Sequence, residues 1–551
     1  MKSPTSGSPA NHLTVNNHYF PLVRVNPNSN FRINFANKPL FRFIPRLSIL
    51  PDLLLRDQEK KELFDPIGNQ PFLLADLADE GANIVSVPVN PLDRLILECL
   101  FDPPPQNLGN NWLSKFFNLR VGEQRLDQHI HSLFYSTCQS CGKAIEVNFF
   151  VRDGTNNELI GKSYHCDCGL SGTQPVNDQD RLLDENWRRS DGLYRTRVTG
   201  LFAGLNGISD QDILDVLTIY SPKALYAIEL ISQKIIQSVD KNQQKYYLLA
   251  LVYIADSINS LWNISNQIEL PKLIYRPKRM IEFNFWTAIE ESANLLNELA
   301  KFTPRIHESS HSDGFASGIT VNKWVRLKDK QPMPPTSIVA VVPRPNQAYW
   351  SLSALWSRWL LNLPRDEVFL RSIARKKVDW DWFYEASAAL MRRVAGIAES
   401  KPPINFILSE NEPDYIASFM FAMNNENVWL EEYSIQTLSN SLVLRCRIGK
   451  PVTVYTNETV SRSKPDYLKQ VVDQYLTTKG SPVPYEILLT DLLCLLSLDR
   501  DYVFQKKKHK LFLKKLNELL TSSEYEDIEG RNTPQTGTWK IRAKGFQQPL
   551  L

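Results

Sequence analysis

The apolar positions change period several times along the chain. Asn83-Ile84-Val85-Ser86-Val87 is a short β-branched run and predicts a buried strand. It lies between helical patterns at Leu73 to Leu77 and Asp93 to Leu100, behind a turn at Asp65-Pro66-Ile67-Gly68. Strand, turn, helix, strand and helix within ~40 residues open a doubly wound α/β sheet. Ser337-Ile338-Val339-Ala340-Val341-Val342 is the cleanest buried-strand pattern in the chain. Ile404 to Leu408, Val428 to Leu430 and Ser441 to Arg447 predict further strands. Helices are predicted at Glu385 to Ile397, opened by Trp380-Asp381-Trp382-Phe383-Tyr384, and at Asp414 to Asn424.

Between these two halves the period is helical. Asp210 to Leu217, Lys223 to Ser238, Tyr246 to Trp262 and Phe283 to Phe302 carry apolar residues at three- and four-residue spacing. Asp210 and Ser221 are the expected N-caps, the second with Pro222 at the first helical position. The tail has three amphipathic patterns, Lys464 to Thr477, Tyr485 to Leu498 and Leu511 to Leu520. Trp539-Lys540-Ile541 follows as a wing strand, and three helices then a β-ribbon predict a winged-helix-like domain.

The expected organisation is therefore α/β, a Rossmann-like sheet split by a zinc-ribbon and helical insert. Its parts are a disordered N-terminus (1–16), a first sheet half (17–110), a ribbon (130–175), a helical insert (180–302), a flexible loop (303–335), a second sheet half (336–455) and the winged-helix-like tail (461–551). Phe31 to Phe35 alternates and is expected as an edge strand, and Asp102-Pro103-Pro104-Pro105 as a linker.

Composition narrows the class. The chain has 551 residues, 43% hydrophobic and 22% charged, as expected of a globular protein of several domains. A net charge of +3 excludes a globally basic nucleic-acid coat and leaves local patches open. No run of ~18 apolar residues is present, so no membrane span is expected. The start, Met1-Lys2-Ser3-Pro4-Thr5-Ser6, lacks the apolar core of a signal peptide, and a cytoplasmic location is expected.

Seven cysteines are present and four of them cluster. Cys138-Gln139-Ser140-Cys141-Gly142 is followed by Cys166-Asp167-Cys168-Gly169, with 24 residues between Cys141 and Cys166. In each pair the glycine lets the loop turn so that two thiolates can meet one ion. Alternating runs at Ala144 to Val151 and Leu159 to Tyr164 suit a β-hairpin between the pairs, the layout of a zinc ribbon. Cys138, Cys141, Cys166 and Cys168 are the expected ligands of a structural zinc, with His165 beside the second pair as an alternative donor. Four protein ligands leave no open position for catalysis.

Two basic groups suggest nucleic acid. Arg188, Arg189, Arg195 and Arg197 interleave with Trp187 and Tyr194, residues that can clamp phosphates and stack on bases, or form a solvated linker leaving the ribbon. Lys506, Lys507, Lys508 and Lys510 precede the third tail helix and would meet phosphates if that helix lay in a DNA groove. His307 and His311 lie among Ser, Asp and Gly and read as a surface loop.

Asp65-Pro66 and Asn90-Pro91-Leu92 resemble, in place and spacing, the S-adenosylmethionine (SAM) site of the amino-group DNA methyltransferases, the N-6 adenine and N-4 cytosine class. The resemblance implies cofactor contacts at Asp65, Gly68 and Asn90, here vestigial. Of the family's glycine turn only Gly68 remains, with Asn69 and Gln70 at the next small positions and Pro71 removing a backbone donor. Pro88 stands where the ribose-gripping carboxylate belongs. At the end of the second sheet half, Val341 and Val342 occupy the Asp-Pro places of the family's Asp-Pro-Pro-Tyr motif, with Pro343 retained. Asn346-Gln347-Ala348-Tyr349 echoes Asn-Pro-Pro-Tyr further on. These departures imply a catalytically inactive methyltransferase-like protein with no catalytic residue and no SAM. It would act as a nucleic-acid-binding or scaffolding subunit, with DNA, and an active methyltransferase or another protein subunit, as partners and no membrane. Two other readings stand beside it, an active divergent SAM-dependent DNA methyltransferase and a protein–protein adaptor.

Overall fold

The computed structural model describes residues 35, 38–44, 47, 54, 62–235, 239–261, 271–301, 319–321, 335–363, 367–397, 402–436, 441–449, 465–499, 502, 504–530 and 533–542. The chain is mixed α/β. It opens with β1 (Glu62–Asp65), α1 (Pro71–Asp79), β2 (Asn83–Ser86) and α2 (Pro91–Phe101). Next come α3 (Leu108–Asn118), a small hairpin of β3 (Arg120–Val121) and β4 (Gln124–Arg125), and α4 (Leu126–Ser132). A β-rich segment holds β5 (Tyr135–Thr137), β6 (Ala144–Glu146), β7 (Phe149–Asp153), β8 (Leu159–His165) and β9 (Ser171–Pro175). Helices α5 (Asp178–Gly200), α6 (Asp210–Leu217), α7 (Pro222–Ile235) and α8 (Gln244–Ser257) lead to β10 (Arg279–Phe283) and α9 (Phe285–Leu299).

The second half holds β11 (Ile319–Val321), β12 (Ser337–Val341), α10 (Gln347–Trp359), α11 (Trp380–Ile397), β13 (Ile404–Leu408), α12 (Pro413–Asn425), β14 (Val428–Gln436) and β15 (Ser441–Ile448). The tail is α13 (Pro465–Lys479), β16 (Val483–Pro484), α14 (Tyr485–Leu498), α15 (His509–Leu520), β17 (Tyr525–Asp527) and β18 (Thr538–Ile541).

Seven strands form the main sheet in the order β11-β2-β1-β12-β13-β15-β14. The first five run parallel, and β15 is antiparallel to both of its neighbours. All five residues of β12 and of β13 are buried, as a parallel sheet covered on both faces requires. From β1 the chain builds outward through β2 to β11, then returns to β12 on the other side. The carboxyl ends of β1 and β12 therefore sit together where the direction of winding reverses.

The ribbon forms a second sheet, β10-β7-β8-β9. Its outer strand β10 lies inside the stretch expected to be helical, and pairs with β7 from Arg279↔Asp153 to Phe283↔Phe149. Arg152, with no exposed surface, ties these parts together. Its guanidinium meets Glu282 at 2.9 Å and Asp184 of α5 at 2.5 Å, and Lys223 of α7 also reaches Glu282 at 2.9 Å.

Local chemistry explains most element ends. Pro71 and Pro91 stand at the starts of α1 and α2, where a missing N–H costs nothing. The expected N-cap Asp210 lies one residue inside its helix. Ser209 is the cap, in a reciprocal capping box with Asp212. Ser221 does accept the Ala224 N–H at 3.2 Å. Residues 186–197, read as a clamp or a linker, are the middle of the 23-residue helix α5. Ile319–Val321, inside the expected loop, forms β11 at the sheet edge beside β2. The histidine pair at 307 and 311 lies outside the described residues, as does the expected 31–35 strand except for Phe35, which is buried.

The tail is not packed as a separate body. Leu468, Val472, Leu488, Leu492, Phe512 and Leu516 share one core with Phe406 of β13 and Phe419 and Met420 of α12. A three-stranded sheet in the order β16-β18-β17 closes it. Among the described residues no helix is long and apolar enough to cross a membrane.

Candidate functional site

The four clustered cysteines come together. Cys138 and Cys141 sit on the turn between β5 and β6, and Cys166 and Cys168 on the turn between β8 and β9. In the first turn Cys138 N–H bonds to Lys143 O, and Gly142, at φ +71°, sends its N–H to Cys138 O. In the second, Cys166 N–H bonds to Leu170 O, and Gly169, at φ +91°, to Cys166 O. A side chain is strained in that left-handed region, which accounts for glycine after each pair.

The four sulfurs lie within 4.8 Å of one another. Cys138 and Cys168 are 3.7 Å apart, Cys141 and Cys166 3.6 Å. Tetrahedral bonds of ~2.3 Å to one ion put sulfurs about 3.8 Å apart, so this cluster can hold a metal and is compatible with zinc. The Cys141 N–H directed at the Cys138 sulfur lowers that thiol, while burial and the neighbouring cysteine sulfurs raise Cys166, so the two titrate as a coupled pair. His165 is exposed and stands outside the cluster; the four cysteines complete it without an alternative donor.

The first knuckle is braced from beneath. Tyr164 donates its hydroxyl to the Cys138 sulfur at 3.8 Å and accepts the Gln139 N–H at 3.1 Å. Lys162, fully buried, donates to Ser136 Oγ (2.7 Å), Thr137 O (2.9 Å) and Asp180 Oδ2 (2.7 Å). Asn177, the N-cap of α5, reaches Thr137 Oγ1 at 2.8 Å. The cysteine turn is thus tied to the start of α5 by a buried ion pair and three further hydrogen bonds.

At the carboxyl ends of β1 and β2 the three positions that the resemblance singles out, Asp65, Gly68 and Asn90, are also brought together, each engaged internally. Asp65 Oδ1 accepts the N–H groups of Ile67 and Gly68, both at 3.0 Å, and Oδ2 accepts the Ser86 hydroxyl at 2.7 Å. Burial raises its pKa, and these bonds pull it partly back. Gly68 has φ +68°, and a Cβ there would lie 2.6 Å from Pro88, so the proline rests directly on the glycine turn. Val87 N–H to Asp65 O (2.8 Å) and Val89 N–H to Ile67 O (3.0 Å) join the two loops beyond the strand ends. Asn90 caps α2 through the Leu92 N–H at 2.9 Å and donates to Ser353 at 3.1 Å. Asn69 Oδ1 and Gln70 Nε2 are buried without a hydrogen-bond partner, at about 1–3 kcal/mol each, the least settled part of the crevice.

Beside it, at the end of β12, Val341 and Val342 are buried and Val342 N–H continues the pairing to Ile407 O at 2.8 Å. The Val342 carbonyl accepts the Tyr415 hydroxyl at 2.9 Å. Arg344 is paired with Glu410 at 2.5 Å, and Lys272 with Glu412 at 2.6 Å. Asn346 spends its oxygen on the Tyr349 N–H as the cap of α10. Tyr349 stacks on Phe43 at 4.5 Å and donates its hydroxyl to Asp93, whose carboxyl burial pushes up to about 7.

The arginines lie along α5. Arg188 meets Asp184 at 3.3 Å, Arg189 meets Glu185 at 3.6 Å and Arg197 meets Glu229 at 2.9 Å. Arg195 bonds Asp191 and the carbonyls of Leu217 and Tyr220, joining α5 to the turn after α6. In the tail, Lys507 pairs with Glu385 and Lys510 with Asp381, both on α11 and both at 2.6 Å. Lys506 and Lys508 are exposed and make no ion pair with the described residues.

Sequence reasoning missed Lys162, Tyr164, Asp180 and Tyr415. Lys162 shares its side of β8 with exposed Ile160 and buried Tyr164, so alternation along the strand did not mark it as buried. Comparison of the chain with known protein families, curated proteins and solved structures finds no match.

Proposed function

We propose that this chain is a catalytically inactive methyltransferase-like protein that binds nucleic acid or scaffolds a complex, with structural zinc in its ribbon. One observation carries the reading. Two motif halves far apart in sequence meet at the carboxyl ends of β1 and β12, the winding reversal where a doubly wound sheet takes its ligand. There the groups that the resemblance assigns to cofactor and base are already engaged. Pro88 fills the ribose side, the loops are bonded to each other, and Tyr415 holds the Val342 carbonyl.

These residues do not fit SAM. Transfer needs donor and acceptor held in line, and positioning supplies much of the rate. The four-cysteine set suits zinc, whose four sulfur ligands close its coordination and favour a role in folding. The sheet β16-β18-β17 beneath three helices supports a winged-helix-like tail, and its lysines support a polyanion as partner.

The test uses the full chain, methyl-tritiated SAM and duplex DNA. Retention of DNA without incorporation of label is expected. Label in DNA would overturn the inactive reading and favour a divergent enzyme. Neither label nor DNA retention would favour the adaptor.

A further inference from the structure

The basic run ahead of α15 divides into two adjacent stripes with different surroundings. Lys507, Lys510 and Lys514 follow one another at three- and four-residue steps, and each has an acid. Lys507 meets Glu385 at 2.6 Å, Lys510 meets Asp381 at 2.6 Å and Lys514 meets Glu518 at 3.7 Å. Lys507 takes φ +57°, uncommon for a residue with a side chain, in the turn from which it reaches Glu385. Between them His509 has no exposed surface and stacks on Tyr384 at 6.1 Å. Lys507 and Lys510 clasp the tail to α11, and Lys514 pairs within α15.

Lys508, Leu511 and Lys515 form the next stripe at the same spacing, with Lys506 in the turn before it. All four are exposed, and none of the three lysines pairs with an acid among the described residues. Leu511 is 39% exposed.

We propose that the stripe of Lys508, Leu511 and Lys515, with Lys506, is the surface that meets a duplex DNA backbone, and that Lys507 and Lys510 serve the fold instead. This rests on the nucleic-acid reading above and assigns its contacts. A lysine already neutralised by a carboxylate releases few counterions on meeting a phosphate, whereas an unpaired one contributes the full effect. Lys508 and Lys515 are separated by about 10 Å along the helix, at 1.5 Å per residue. That suits the edges of a major groove ~12 Å wide, with Leu511 between them where a thymine methyl can pack.

The experiment measures binding of a fluorescent duplex of mixed sequence against salt concentration. It compares the full-length protein with K506A/K508A/K515A, with K507A/K510A and with D381N/E385Q. The first variant should lower the log–log salt slope by about 2.7, or about 0.9 per contact, and weaken binding at least about tenfold. The second should leave the slope within about one contact and instead speed amide exchange in α15. The third should steepen the slope, since Lys507 and Lys510 lose their acids. Equal losses from the first two variants would overturn the assignment while leaving DNA binding intact. No salt-dependent binding by the unmodified protein, or stronger binding to polyglutamate than to duplex, would remove the nucleic-acid reading and this assignment with it.

Discussion

Replacing Lys162 with methionine tests the joint between the cysteine turn and α5. The side chain is fully buried, and its ammonium makes three hydrogen bonds, one of them to Asp180, whose side chain is 2% exposed. Removing one partner of a buried ion pair costs about 3–5 kcal/mol, because the other charge is left in a low dielectric. Asp180 keeps the Ser136 hydroxyl (2.5 Å) and the Asn177 N–H (3.0 Å), which places the expected loss near the lower end, about 3 kcal/mol. That is about a 150-fold rise in local opening. A chain of this size need not unfold in one step, so a local probe is required. Amide exchange at Thr137 to Gln139 and in the first turn of α5 should lose about two orders of magnitude of protection. Lys162→Met with Asp180→Asn should recover most of it, since a neutral pair leaves no buried charge. Protection in Lys162→Met within threefold of the unmodified protein would refute the claim that this pair braces the knuckle.

Three other outcomes are expected. Cys141→Ser leaves three thiolates, and the purified protein should fall below one zinc per chain by elemental analysis; unchanged zinc would contradict a four-cysteine centre. Asp93, raised to about 7 in the fold against about 4 in an unfolded chain, keeps a proton that the unfolded chain has shed between those values. Stability should therefore fall as pH rises from about 4 to about 7 and then level off. Asp93→Asn should be more stable than the unmodified protein at pH 8, by up to about 4 kcal/mol, and no different at pH 4 in denaturant titrations. Burial lowers the pKa of His509 despite Asp381 nearby, with Lys510 adding to the lowering. The dock of α15 on α11 should thus be held above pH about 6.5 and loosen as pH falls below it, and His509→Phe should remove that dependence in exchange measurements.

How much of this was legible in the sequence depended on how local the cause was. β12 and β13 are buried on both faces, so apart from Ser337 and Asn405 each is a run of apolar residues that reads as a strand. The span of α14 follows a local pattern and was found as observed, and that of α6 was found with its cap misplaced by one residue. The cysteine spacing with its two glycines carried the four-cysteine cluster, which could hold a metal. By contrast α5 buries few residues, among them Asp180, Asp184, Val198 and Thr199, so its 23 residues show no apolar period. β10 is a strand because β7 lies beside it, although the two are far apart in the chain. β11 is three residues in a polar stretch, visible as a strand only once β2 is there to pair with it. The same limit hid Tyr415, whose hydroxyl matters only because the fold carries it to Val342. Pro88 and Val341 were readable as departures from the resembled motifs, whereas the two bonds joining the β1 and β2 loops were not.

The most direct measurement is calorimetric titration of the full-length, zinc-loaded protein with SAM. Pro88 on Gly68, the joined loops and the occupied Val342 carbonyl predict no saturable heat up to millimolar SAM. One-to-one binding at micromolar affinity would contradict the proposed inactive reading and favour an enzyme.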